Sequence, residues 1–464
     1  MLKKFFGDRY FYRRLFALAV PIMIQNGITN FVNMLDNIMI GRVGTVQMNG
    51  VAVANQLFFV FNLCIFGAVS GAGIFGAQFY GKGDHKGLRD TFRFKLIFCC
   101  LLTLAGIGLF YFAGDGLIGL YLQGEGSAAD AAASLGFGKG YLLIMLVGLL
   151  PYTLVQCYSS TLREIGRPMV PMTAGIIAVL VNLVLNYVLI FGHFGAPALG
   201  VNGAAIATVI SRFAELLVVA FWTHFHAHKN PFIIGAYRSL RVPKKLVGRI
   251  VVKGLPLMLN EALWAAGIAT VNQCYSVRGL NVVGAQNIAQ TFWNVFSIAF
   301  MAVGVANGII LGQMLGARDH RGAKDAATKL ITFSVLVSIG VGALYALVAI
   351  WIPMAYNTTY EIRHLATLLM QITALAMPLD AFSHATYFTL RSGGKTFITF
   401  LFDSGFVWAI HVPLAFVLSR YTAMSILGLY ALIQFSNIIK VVLGFVFVKK
   451  GIWLQNIVEE GESV

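Results

Sequence analysis

The chain has 464 residues, of which 58% are hydrophobic and only 11% are charged, and its mean hydropathy is +0.78. A soluble domain carries about 25% charged residues, so this composition excludes an ordinary soluble protein and predicts a surface that mostly faces lipid. The net charge of +16 does not indicate a nucleic-acid partner, because the basic residues concentrate in loops between apolar segments. Five cysteines without a CxxC spacing predict neither a zinc site nor a disulfide framework.

Twelve apolar segments have the length of about 20 residues that a membrane-spanning helix needs. They lie near residues 15–40, 51–79, 91–113, 138–160, 169–191, 201–224, 248–273, 282–315, 328–352, 365–390, 396–419 and 424–448. If the N-terminus is cytoplasmic, the cytoplasmic loops hold most of the Lys and Arg residues, as the positive-inside rule requires. The pattern therefore predicts a multi-pass protein of the cell membrane, with both termini cytoplasmic and basic loops in contact with anionic membrane lipids.

Residues of the first half recur in the second half at nearly constant offsets. The recurring pairs include Pro21 and Pro256, Gln78 and Gln313, Gly81 and Gly316, and Pro151 and Pro378. Six spans separate equivalent positions, so both halves have the same orientation, a pattern typical of secondary transporters. The predicted organisation is an N-terminal six-helix lobe (1–224), a cytoplasmic linker (225–247), a C-terminal six-helix lobe (248–450) and a cytoplasmic tail (451–464).

Carboxylates within spans are the most informative residues, because each costs about 2.5–3.5 kcal/mol to insert at mid-bilayer. They are Asp36, Glu215, Glu261, Asp380 and Asp403. Helical spacing places Asp36 on one face with Gln25 and Thr29, and Asn33 lies nearby. Pro21 removes one backbone hydrogen bond of the same helix and predicts a hinge. We therefore expect a carboxylate that takes up a proton or a cation on a helix that can bend; the alternative is a carboxyl held neutral by packed amides.

Amide side chains on the fifth span could complete a cation site with Asp36. Asn182 and Asn186 lie four residues apart and hence on one helical face. Their oxygens are ligands that a hard cation such as Na⁺ prefers. Hydrogen bonding between helices is the alternative role for the two amides.

The second half has its own polar positions. Glu261 follows Pro256 on the seventh span, and Asp380 shares a stripe with His384 and Tyr387 on the tenth. His384 could assist Asp380 in proton exchange or be purely structural. Asp403 and Glu215 lie nearer span ends or Arg212, so we expect paired structural roles for them.

Motifs for enzyme chemistry do not fit their surroundings. Gly71 to Gly76 spell GxGxxG, but inside an apolar span with no preceding strand, so a dinucleotide site is excluded. No HExxH or GxSxG motif is present. We expect a protein that is not an enzyme, with no cofactor and no metal beyond Na⁺.

Several stretches together resemble the multidrug and toxic compound extrusion (MATE) family, over nearly the whole chain. They are LAVPIMIQ…NMLDNIMIGRVG, GAQFYGKGD with its second copy GQMLGARDH, VNLVLNYVLIFG, GVNGAAIATVIS, GLPLMLNEALWAAG and PLDAFSHATYFTLRSGGKT. The resemblance implies twelve transmembrane helices, forming an all-α membrane protein of two pseudo-symmetric six-helix lobes in a V around a central cavity. It implies that Asp36, Asn182 and Thr208 belong to an ion-coupling site in the first lobe.

The resemblance extends to the remaining candidate residues. Asn186 stands where some members have an aspartate, and Glu261 and Asp380 match an acidic pair in the second lobe. Amides and aromatic faces beside acidic groups suit a lipophilic cation, although the same side chains could simply pack helices. The candidate cavity residues are Gln25, Thr29, Asn33, Trp264, Gln290, Trp293, His384 and Tyr387.

The resemblance implies efflux of organic, mostly cationic and amphipathic compounds in exchange for Na⁺ or H⁺ by alternating access, with a monomer holding a complete pathway. A flippase of lipid-linked precursors from the same superfamily is the alternative. Such a flippase usually needs basic residues in its cavity to meet phosphates. The sequence offers Arg212 as the one clear basic residue deep in a span, which favours the efflux transporter.

Overall fold

The computed structural model describes residues 5–41, 43–122 and 128–459, and all the regular structure in these ranges is helical. The α-helices are α1 (Arg9–Gly41), α2 (Thr45–Lys82), α3 (His85–Leu122), α4 (Ala128–Glu164), α5 (Met169–Phe191), α6 (Gly200–Phe225), α7 (Lys244–Ser276), α8 (Leu280–Phe296), α9 (Ile298–Gly316), α10 (His320–Val348), α11 (Tyr360–Ser392), α12 (Thr396–Phe400), α13 (Val412–Tyr421) and α14 (Ile426–Lys450). Two π-helical turns, Leu401–Gly405 and Val407–His411, join α12 to α13 in one continuous rod. The predicted all-α membrane fold is confirmed.

Eleven helical segments of the described chain are long and apolar enough to cross a membrane. The predicted seventh span corresponds to α7, a helix of 33 residues whose polar side chains, including Asn260 and Glu261, reduce its hydropathy. The predicted eighth span, 282–315, is two helices rather than one, because the helix is interrupted at Ser297. There the serine Oγ donates to the Asn294 carbonyl (3.4 Å) and competes with the regular backbone pattern.

Contacts group the chain into two compact units. One contains the residues up to 23, residues 77–84 and everything from 249 onward; the other contains 24–76 and 85–248. The first border falls inside α1, two residues after Pro21, which is the predicted hinge. The helix runs through Pro21 without ending. The predicted lobe boundaries, and the arrangement of the lobes in a V around a cavity, stay predictions.

The described part of the predicted tail, residues 451–459, packs on helix ends in the first of these units. Trp453 is fully buried, and Ile457 is almost as deeply buried. The side chain of Gln78 at the end of α2 donates to the Ser392 carbonyl (2.9 Å), and its Oε1 accepts from the Ile457 amide (2.9 Å). A buried glutamine thus fastens this segment to α2 and α11, while residues 460–464 lie outside the described chain.

Equivalent glycines of the repeat bring the ends of α2 and α9 into main-chain contact. A Cβ added at Gly81 would overlap the carbonyl oxygen of Gln313, and one added at Gly316 would overlap the carbonyl oxygen of Gln78. Gly81 and Gly316 are equivalent in the repeat, and so are Gln78 and Gln313, so the two contacts are equivalent to each other. The repeat seen in the sequence is therefore present in the packing.

Alanine at either glycine is expected to destabilise the protein. Gly316→Ala and Gly81→Ala each force two main chains apart, and overpacking of this kind costs about 1–3 kcal/mol. Thermal unfolding of the purified protein in detergent should show a lower Tm for both variants. Gly248→Ala in α7 is the matched control, since nothing lies within 4 Å of its added Cβ. An unchanged Tm at Gly81 and Gly316 would contradict the close contact.

Candidate functional site

Four predicted residues of α1, α5 and α6 form one hydrogen-bonded chain. The Asn186 Nδ2 donates to Asp36 Oδ1 (2.5 Å) and to Asn182 Oδ1 (3.1 Å), and the Asn182 Nδ2 donates to Thr208 Oγ1 (3.3 Å). Both asparagines are buried, with Asn186 0% exposed. The Oδ1 of Asn186 is also buried and has no hydrogen-bond partner among the described residues. One carboxylate and three neutral polar side chains are thus linked within the spans, with amide nitrogens between the oxygens.

The sequence of α5 explains why these amides face inward. Its buried side recurs at every fourth residue, through Ala174, Ala178, Asn182, Asn186 and Ile190. Positions four apart share one helical face, so the two amides continue a stripe that begins with small alanines. The stripe is buried as a unit, which leaves the asparagines no lipid-facing orientation.

Gln25 and Thr29, the other described candidates of α1, have different partners. Gln25 Oε1 accepts from Arg163 Nη2 (2.7 Å), and Thr29 donates to the backbone of its own helix (2.9 Å). The Asn33 side chain lies outside the described structure. Glu215 pairs with Arg212 (3.6 Å), as predicted. Along the polar stripe of α1, Asp36 is therefore the described residue that reaches the amides of α5.

Glu261 and Asp380 have separate partners. Glu261 Oε1 accepts from the Tyr387 hydroxyl (3.3 Å), and Asp380 Oδ1 accepts from Asn437 Nδ2 (3.0 Å). No hydrogen bond joins the two carboxylates in the described structure. The predicted acidic pair thus occupies two neighbouring networks, one centred on α7 and α11 and the other on α11 and α14.

Sequence reasoning missed the most buried ion pair that the structure describes in the second half. Lys440 lies within α14 and is 8% exposed, and its Nζ contacts Asp403 Oδ1 at 2.7 Å. Asn260 donates to the other oxygen of Asp403 (3.1 Å). Asp403 is paired, as expected, and it belongs to the π-helical turn Leu401–Gly405. Such turns occur often at functional sites. The sequence feature that could have predicted this pair is the position of Lys440, ten residues before the basic end of an apolar helix.

One face of α14 serves both aspartates. Asn437 and Lys440 lie three residues apart and so share a face, the first bonded to Asp380 and the second to Asp403. On the opposite side, Asn260 precedes Glu261 along α7. Three partly buried carboxylates, one ammonium group and two amides thus form a polar layer on α7, α11, α14 and the π-helical turn.

The remaining candidate cavity residues are less connected. The Nδ1 of His384 is buried without a partner among the described residues, and its ring packs on Phe388 at 5.0 Å between centroids. No hydrogen bond links it to Asp380 in the described structure. Gln290 donates to Asn294 of its own helix (3.1 Å). Trp264 and Trp293 are half-buried.

A duplicated helical chain with carboxylates buried inside its spans belongs to the class of secondary membrane transporters. The family model MatE matches residues 21–188 and again 256–417, once in each repeat. The chain therefore belongs to the MatE family, whose members are transporters and not enzymes. It is a multi-pass membrane transporter of a family that needs no cofactor.

Similar proteins support this assignment over nearly the whole length. The chain is 25% identical over 459 residues to the "Probable multidrug resistance protein NorM" of Thermotoga maritima, covering 97% of this chain and 95% of the relative. It is 24% identical to the "Multidrug resistance protein MdtK" of Proteus mirabilis over 88% of each chain. A solved structure described as the outward-facing conformation of a multidrug resistance MATE family transporter of the MOP superfamily has the same fold, with TM-score 0.85, 18% identity and 97% coverage of each chain.

Proposed function

We propose that this transporter exports organic, mostly cationic and amphipathic compounds in exchange for Na⁺ or H⁺. The names of the curated relatives support the export of drugs. The observation that carries the proposed coupling is the buried chain of Asp36, Asn186, Asn182 and Thr208. A carboxylate inside a span is costly, and that cost is relieved when a proton or a cation neutralises it.

The donor set fits a small hard cation. Asp36 supplies one negative charge and Thr208 a neutral oxygen. Asn186 and Asn182 supply two more oxygens once their amide groups rotate, because in this structure their Nδ2 atoms donate to Asp36 and Thr208. Oxygen ligands are those that hard cations prefer. The unpartnered Oδ1 of Asn186 supports this assignment, because a buried polar atom without a partner is costly. One charge matches a monovalent ion. Proton coupling would require Asp36 alone.

The proposed cycle couples this neutralisation to the hinge. An ion entering from outside binds Asp36, changes the bend of α1 at Pro21 and weakens the binding of a cationic substrate, which leaves outward. Release of the ion to the cytoplasm then restores the affinity for the substrate. Coupling requires the ion and the substrate to bind differently to the two states.

The flippase alternative is disfavoured by the pairing of two cations within the spans, Arg212 and Lys440. A phosphate-binding cavity needs basic groups that are available to the lipid. Arg212 contacts Glu215, and Lys440 contacts Asp403. Both charges are already compensated within the protein, which leaves them poorly suited to meet a lipid phosphate.

Efflux from proteoliposomes tests the proposal. Purified protein would be reconstituted with a cationic fluorescent substrate, and a pH gradient and a Na⁺ gradient would be imposed separately. Efflux under one gradient identifies an antiporter and its ion. Absence of efflux under both, with flipping of a fluorescent lipid-linked precursor, would replace the proposal by the flippase.

Glu261→Gln is expected to lower gradient-driven efflux by about tenfold, within the usual range for coupling between sites. The change removes an ionisable group but keeps an acceptor for Tyr387. Tyr387→Phe is the matched control, because it removes the hydrogen bond and leaves the carboxylate. Efflux by Glu261→Gln equal to that of the unaltered protein would show that the charge of Glu261 takes no part in coupling.

A further inference from the structure

An apolar cleft lies between α3, α4, α6 and the segment that follows α6, within one compact unit. Its volume is about 680 Å³, and none of the candidate ion-site residues lines it. The apolar walls include Leu96, Cys100, Leu154, Leu217, Phe221 and Leu240. A volume of this size lies within the range of about 300–1,000 Å³ in which ligand pockets fall.

One end of the cleft is polar. The Tyr158 hydroxyl contacts the hydroxyl of Tyr237 and the Nε2 of His224 (3.1 Å), and all three residues line the cleft. Tyr237 belongs to the predicted linker, whereas Tyr158 and His224 lie near the ends of their helices. The cleft therefore combines an apolar body with a hydrogen-bonding end at the boundary of the spans, which suits an amphiphile.

The sequence around the polar end of the cleft contains basic residues and no acidic ones. Between Glu215 and Glu261 there is no Asp or Glu, while Lys and Arg recur throughout. Arg238 and Arg241 are exposed and directly follow the lining residues Tyr237 and Leu240. This charge repels a cationic occupant and attracts an anionic one.

The rim is held in place by α3. Arg93 Nε donates to the Ala236 carbonyl (2.8 Å), and its Nη2 donates to the Gly235 carbonyl (2.8 Å). Asp90, the acidic group of α3 closest to this contact, is paired with Arg93 at 3.0 Å. The arginines that follow are thus presented from an ordered segment, and the nearby carboxylate is already neutralised.

We propose that the cleft binds one acyl chain of an anionic phospholipid, with its phosphate at the rim beside Arg238 and Arg241. The apolar walls take the chain, and the hydroxyl and imidazole groups meet the glycerol ester region. Basic pockets between helices on the cytoplasmic side recognise anionic head groups in this way. The site is peripheral to the transport residues, so it is independent of which compound is exported.

Native mass spectrometry of the delipidated full-length protein tests the site. Phosphatidylglycerol and phosphatidylcholine with identical acyl chains would be titrated in detergent. One phosphatidylglycerol should be retained in preference to phosphatidylcholine. Arg238→Gln with Arg241→Gln should weaken its binding by roughly 25-fold, since each basic residue contributes about fivefold near a membrane surface. Arg321→Gln with Lys324→Gln, an equal charge change in another basic segment, should leave it unaltered.

A second variant tests the apolar part. Ala220→Trp fills the cleft and should abolish retention of that lipid, whereas Val184→Trp, at an exposed position of α5, should not. Equal retention of both lipids, or phosphatidylglycerol binding unaffected by either the double or the filling variant, would overturn the proposal in favour of ordinary bulk lipid contacts. Because the readout is binding, neither result bears on efflux.

Discussion

Asp36→Asn is expected to reduce gradient-driven efflux by about a hundredfold, near the upper end of measured couplings between sites. Asparagine has the shape of aspartate, and its Oδ1 can still accept from Asn186, so the local packing is kept. What is lost is the charge that a proton or Na⁺ would neutralise. The measurement is dye efflux from proteoliposomes under each gradient, together with substrate binding to the purified protein, which should weaken because the variant mimics the neutralised state.

Asp115→Asn is the matched control for this experiment. It makes the same chemical change at an exposed pair with Lys139, and exposed pairs contribute about 0–1 kcal/mol. Efflux by this variant should equal that of the unaltered protein. If Asp36→Asn kept full ion-driven efflux with a normal Tm, the first-half site would not carry the coupling, and Glu261 or Asp380 would have to.

Lys440→Met is expected to destabilise the protein by about 3–5 kcal/mol. The change leaves Asp403 charged and buried without its ammonium partner, a situation that costs this amount in other proteins. Lys440→Met combined with Asp403→Leu should recover most of the loss, because a buried ion pair can often be replaced by apolar residues at little cost. Thermal unfolding of both variants in detergent, completed by Asp403→Leu alone, gives the full double-mutant cycle.

Lys329→Met serves as the comparison, since it breaks a more exposed pair of the same residue types with Asp325 within α10. Its cost should stay below about 1 kcal/mol. A Tm for Lys440→Met no lower than that of Lys329→Met would mean that a group other than Lys440 compensates the charge of Asp403. The ion pair would then not be a main stabilising contact of the second half.

Local patterns in the sequence account for much of the fold and of the first-half site. Hydropathy predicts the spans, because a lipid environment demands long apolar helices regardless of tertiary context. The spacing of Asn182 and Asn186 places both amides on one face, and burial of Asp36 beside them satisfies polar groups that lipid cannot. Here a periodic pattern and a physical requirement lead to the same arrangement.

The rest depends on contacts between distant segments. In the sequence, Lys440 resembles a charge that anchors the end of a helix at the membrane surface. Its role becomes clear only in the fold, where it contacts Asp403, which also accepts from Asn260. The break at Ser297 interrupts a predicted span without a Pro or Gly to announce it. Gly405 and Pro413 lie at the π-helical turns, but neither residue by itself predicts a π-helix. Likewise, nothing local indicates that Trp453 is buried, because the surface that covers it comes from helix ends far away in the chain.

The contacts of Gly81 with Gln313 and of Gly316 with Gln78 have a consequence for the rate of the proposed transport cycle. If alternating access parts these helix ends, no side chain at the two glycines has to leave a rotamer or repack, because main chain rests on main chain there. Such a contact loses close van der Waals interactions over a small area and regains them unchanged. It therefore suits a seal that must open and close in every turnover, where a side-chain interlock would add a repacking barrier to each passage.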